Sequence, residues 1–248
     1  MSWLALLLLG VGVADLLAAA RPGLRWVPGL LGAALSVTAG LLAGFVGPDL
    51  AALAVIAATV VAWDAVAGTA ESTPVRARRT LAVLALPAVA LVALSGFASP
   101  VAGALGAWLT WMQVPAISGR GAGGILMIAA LAVANTATGN RLVRLVLVSI
   151  HAQPPRLDGR EGVAPASERL RGGRLLGPME RLLILGFGAA GYVEAAAVVV
   201  AAKGLLRFPE LQAAARSEPR AVDEVTEYFL VGTFTSLLVA LGSVVLLA

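Results

Sequence analysis

Eight apolar stretches, parted by turns and loops rich in Gly, Pro and Arg, leave this chain few ways to fold. They run Trp3–Ala20, Trp26–Val46, Leu50–Ala67, Thr80–Phe97, Pro100–Pro115, Gly124–His151, Glu180–Leu205 and Tyr228–Ala248. Several reach or approach the roughly 20 residues that cross a bilayer as a helix. In hydrocarbon every backbone N–H and C=O must be satisfied within its own segment, so such runs become helices. Composition excludes the water-soluble alternative. Hydrophobic residues make up 59% of the chain and charged ones 13%, with a mean hydropathy of +0.91, too little charge to clothe a water-facing shell. The expectation is an all-α polytopic helical membrane protein, with about seven spans plus one short half-inserted segment, Pro100–Pro115.

The first run reads as a span rather than a cleaved leader, because no basic residue precedes it and Asp15 falls inside it. In the second, Gly32, Ser36, Gly40 and Gly44 repeat every four residues and so line one helical face for close packing. Asp49, after Gly47-Pro48, is placed to cap the third run. Pro87 should kink the fourth. Asp15 and Asp64 stand near the ends of their runs, where Arg21 or Arg76 would pair with them.

The division expected is an N-terminal transmembrane bundle (1–151), a cytoplasmic Arg-rich loop (152–179), and a C-terminal helical pair with a charged connector (180–248). If Pro100–Pro115 does not cross, thirteen of the eighteen Lys and Arg residues fall on one side. The positive-inside rule then sets the N-terminus outside and the C-terminus in the cytoplasm of a bacterial plasma membrane.

Absences narrow the chemistry. With no cysteine and one histidine, His151, there is neither a thiolate nucleophile nor a cluster of metal ligands, and no cofactor is implied. A net charge of +4, distributed between apolar runs, suits the headgroups of the lipid bilayer, anionic lipid included, and not nucleic acid. Gly119-Arg120-Gly121-Ala122-Gly123-Gly124 spells a dinucleotide fingerprint but lies between helical segments, not after a strand.

Three groups of residues remain. Glu194, fourteen residues into its run, should lie about 21 Å along a continuous helix at 1.5 Å per residue, near mid-bilayer. A carboxylate there needs a partner from another helix; Asn135, Asn140, Arg141 and Arg144 are the candidates. Lys203, the only lysine, shares a helical face with Arg207 and Glu210, a pattern for an anion or lipid headgroup. Glu227, Tyr228, Thr233 and Ser236 make the first half of the last run polar.

The sequence Glu180-Arg181, Glu194, Lys203, Arg207-Phe208, Glu210, Glu227-Tyr228-Phe229-Leu230-Val231-Gly232-Thr233 and Ser236 resembles the C-terminal block of a bacterial membrane-protein family, the domain of unknown function numbered 3307. The likeness covers about 180–236. Those relatives begin with a His and an Asp in the first hydrophobic segment; here Asp15 is the counterpart of the Asp and no His is present. The resemblance implies an integral membrane protein and no particular substrate.

The function expected is binding or translocation of a small solute, ion or lipid at a polar intramembrane site. The alternatives are a membrane-embedded enzyme acting on a lipid-linked phosphate, and a non-catalytic scaffold. A homo-oligomer, or a cytoplasmic partner docked on 153–177, is the protein association allowed for.

Overall fold

The computed structural model describes residues 1–248 except 22, 25, 69–71, 113–116, 118, 151–172, 193, 203–204, 206–218 and 248, and gives only the backbone of 173–175 and 219–229. Among the described residues every regular element is helical: α1 (Ser2–Ala20), α2 (Val27–Leu42), α3 (Pro48–Ala67), α4 (Pro74–Ala93), a 3₁₀ turn at Ser95–Phe97, α5 (Gly103–Trp111), α6 (Ala122–Thr136), α7 (Thr138–Ser149), α8 (Gly173–Ala189), α9 (194–202) and α10 (Pro219–Val245).

Two of these, α1 and α3, are long and apolar enough to cross a membrane, and α6 with α7 makes a third if that pair, bent by 51°, counts as one span. This is consistent with membrane association, but it does not support about seven spans. The sequence runs are interrupted for identifiable reasons. α2 has 16 residues, and α4 carries Arg76, Arg78 and Arg79 in its opening turns. α8 has 17 residues and includes Pro178, Glu180 and Arg181; α10 is apolar only from Leu230. α5 has nine residues, about 14 Å of helix at 1.5 Å per residue, so the described part of Pro100–Pro115 is too short to form a span.

α1 is the central helix. Leu6, Leu7, Val11 and Ala14 are fully buried, and it packs against α2, α3 and α6. The small-residue face of α2 does what its spacing predicts at Gly32, Ser36 and Gly40, whereas Gly44 lies past the end of the helix, in a turn with φ +80°. A Cβ on Gly40 would press into the Leu53 side chain, and Ser36 donates to the Leu6 carbonyl at 2.8 Å. Closeness of this kind, rather than side-chain bulk, joins membrane helices.

Side chains also tie helix ends together. Arg120, at the start of α6, donates to the carbonyls of Ala189 and Leu247, at the ends of α8 and α10. Arg78 of α4 donates to the Ser149 carbonyl that closes α7. A guanidinium placed on such C-terminal carbonyls satisfies acceptors that the helix leaves open and suits the negative end of its dipole. Near the chain start, Ser2 donates to the Ser99 carbonyl, and Val101 lies next to Gly123 at the start of α6. Ser2 and Leu247 therefore lie at the same end of the bundle, not at opposite ends as the expected topology required. The cause is a break after α8: Gly191 adopts φ +85°, the chain turns back into 194–202, and α10 then runs parallel to α8.

Candidate functional site

Several of the buried polar side chains, Asp15, Asn135, Thr138 and Arg181 among them, gather where a helix breaks. Apart from Ala137, residues 135–140, Asn-Thr-Ala-Thr-Gly-Asn, are weak helix formers, and between Thr136 and Thr138 the axis turns by 51°. No proline is needed for the kink. Asn135, Thr138 and Gly139 are all buried there.

On one side of the break stands Asp15 of α1, whose side chain is 2% exposed. It forms an ion pair with Arg141 of α7 and accepts the indole N–H of Trp63 of α3 at 3.0 Å. The Thr138 side chain stands beside the same carboxylate. The expected partner, Arg21, lies beyond the last turn of α1; Arg141 reaches Asp15 because α7 begins at the level of α1's last turns. Asp64 likewise does not take Arg76. Its Oδ2 accepts the Gly29 backbone N–H at 3.0 Å, closing the start of α2, while Arg76 turns to the Ser72 hydroxyl.

On the other side stands Arg181 of α8, 2% exposed. Its Nε donates to the Asn135 carbonyl at 3.0 Å, and its two terminal nitrogens donate to Asn140 Oδ1 at 2.5 Å and Ser236 Oγ at 3.1 Å. These three acceptors are uncharged. A Cβ at Gly139 would sit 2.8 Å from the Arg181 Nε and 2.9 Å from its Cζ, so glycine is required for the guanidinium to enter. The carbonyl that Arg181 takes belongs to the broken turn. In an unbroken helix it would bond the N–H four residues on. The Asn135 amide donates to the Leu131 carbonyl and to Ser243 of α10, which draws the last helix onto the break.

Two buried oxygens at the junction, Asn135 Oδ1 and Thr138 Oγ1, have no hydrogen-bond partner of good geometry among the described residues. Unpartnered polar atoms of this kind cost free energy and mark places where water or a ligand belongs.

Of the residues expected at the intramembrane site, Asn135, Asn140 and Arg141 do come to one place. Arg144 is exposed on α7. Glu194 does not join them: the helix expected through 180–205 ends at Ala189, and Glu194 is exposed at the start of 194–202. That short helix packs Ala196 against Ile184 and Ala240. Lys203, Arg207 and Glu210 lie outside the described residues, as do His151 and 153–172 of the expected loop; 173–177 are not loop but open α8. Glu227 and Tyr228 belong to α10, of which only the backbone is described there; Thr233 is half-buried and Ser236 is one of Arg181's acceptors. Asp49 is not a cap. α3 starts at Pro48, and Asp49 Oδ1 accepts from Trp3 Nε1 at 2.7 Å and from the Ser99 N–H at 3.2 Å. The literal fingerprint Gly119–Gly124 leads into α6, with no strand before it among the described residues.

Sequence reasoning gave Arg181 no role of its own. The signal available was Gly139 between two polar residues, a gap that a large side chain from elsewhere could fill.

No family model, curated protein or solved structure matches this chain.

Proposed function

We propose that the chain is an integral membrane protein that binds or moves a small solute, ion or lipid at the polar junction between α6 and α7. The observation that supports this is the break itself. Interrupted helices inside a membrane persist only where protein or a wetted cavity satisfies the freed backbone, and broken helices carry the central binding sites of many transporters. Here the break collects Asp15, Arg141 and Arg181 with two buried oxygens still open to a partner. The arginine-rich end, with Arg21, Arg76, Arg78 and Arg79, would face the cytoplasm of a bacterial plasma membrane.

The absence of cysteine allows a direct test. In membranes, Thr138→Cys should react with a small charged thiol reagent, whereas Leu7→Cys, equally deep in the apolar part of α1, should not. If both are inert, the junction is dry and the reading falls.

A scaffolding role is the second reading. It is favoured by the way the Arg181 guanidinium fills the gap at Gly139, as a purely structural brace would. The enzyme reading has less behind it, because Glu194 stands apart from the buried arginines.

A further inference from the structure

We infer that the groove between the end of α1 and the start of α2 is a binding site for one anionic phospholipid, with Arg21 on its phosphate and the acyl chains along the apolar wall. The groove measures about 460 Å³ and is lined by Leu17, Leu24, Val27, Pro28 and Leu31, with Arg21 its one charged residue among the described residues. A hollow of that kind at the end of a membrane helix fills with lipid. The guanidinium decides which lipid, because its planar donors match two oxygens of a phosphate.

A second feature points to the same level of the membrane. Trp26, between the groove-lining Leu24 and Val27, has φ +68°, in the left-handed region that bulky residues rarely occupy. The residue is 54% exposed. Such strain persists at ligand clamps and similar sites when surrounding structure enforces it, and exposed indoles favour the headgroup layer. The nearby acid does not cancel the charge of Arg21 at the groove: Asp64 bonds the Gly29 N–H and faces the start of α2. A zwitterionic lipid would bring an ammonium alongside Arg21, so a phosphate with a neutral headgroup is preferred.

The test uses the full chain purified in detergent and native mass spectrometry, with phosphatidylglycerol and phosphatidylcholine of identical chains. One phosphatidylglycerol should be retained at least fivefold more than phosphatidylcholine. Arg21→Gln should remove that preference, and Leu31→Trp, which fills the groove without changing charge, should reduce retention of both. Millimolar glycerol phosphate should not compete, because it lacks the chains. Equal retention of the two lipids, or an unchanged preference in Arg21→Gln, overturns the proposal. Competition by glycerol phosphate would also overturn it, as it would show a headgroup site alone. If Arg21→Gln fails to fold, Leu31→Trp decides: full retention of phosphatidylglycerol in that variant refutes the groove.

Discussion

α1 and α3 run parallel and are clasped twice, each time by an indole N–H on a buried aspartate. At one end Trp3 of α1 donates to Asp49 of α3; at the other Trp63 of α3 donates to Asp15 of α1. Twelve residues of α1 separate the clasps, about 18 Å at 1.5 Å per residue. The first needs no arginine; the second has Arg141. Position along the helix explains the difference. Asp49 sits in the first turn of α3, where the helix dipole favours negative charge, and it accepts a second N–H from Ser99. Asp15 sits five residues from the end of α1, where the dipole opposes it and only a cation offsets the cost. One aspartate is held by the fold around it; the other depends on a charge brought from a distant helix.

The largest effect that could break this comparison is Asp15→Asn. It leaves Arg141 without its carboxylate, and removing one partner of a buried ion pair costs about 3–5 kcal/mol. Denaturant unfolding in detergent should show this loss, and the double variant Asp15→Asn with Arg141→Gln should recover most of it. Gly139→Ala comes next. Its methyl would displace Arg181 at about 1–3 kcal/mol, the range for overpacking, and the same unfolding measurement reads it.

Asp49→Asn should cost about 1 kcal/mol or less. The amide keeps an acceptor for Trp3, and only the dipole contribution, about 0.3–1 kcal/mol, is lost. If it costs as much as Asp15→Asn, the two clasps are equivalent and the distinction drawn above is wrong. Trp3→Phe and Trp63→Phe each remove one hydrogen bond, about 0.6 kcal/mol on average between membrane helices. Thermal midpoints should fall further for Trp3→Phe, since Arg141 still holds Asp15 when the Trp63 bond is gone. Smallest of all is Thr138→Val, within about 0.5 kcal/mol, because its hydroxyl has no well-formed bond to lose.

What the sequence made legible was periodic and local. The α2 face of Gly32, Ser36 and Gly40 was readable because four-residue spacing is a property of one helix. That Asp15 needed a partner was readable too, since a carboxylate in an apolar run is conspicuous. Which partner was not. Arg21 is near in sequence, but Arg141, 126 residues away, is near in space. Helix breaks were the main obstacle. Neither the turn at Ala137 nor the one at Gly191 contains a proline, so hydropathy ran straight through both, and Glu194 was read as mid-helix. Arg181 was hidden for another reason: beside Glu180 at the head of a run it looks like an ordinary surface pair, and only Gly139 reveals where it goes.

The sequence distance between Asp15 and Arg141 also sets an order of events during synthesis. At ~5–20 residues per second, Trp63 follows Asp15 from the ribosome after roughly 2–10 s, and Arg141 only after roughly 6–25 s. Through that interval α1 carries a carboxylate held by an indole alone, at the helix end that repels it. A nascent chain stalled between Trp63 and Arg141 therefore holds α1 without the cation that offsets its buried carboxylate.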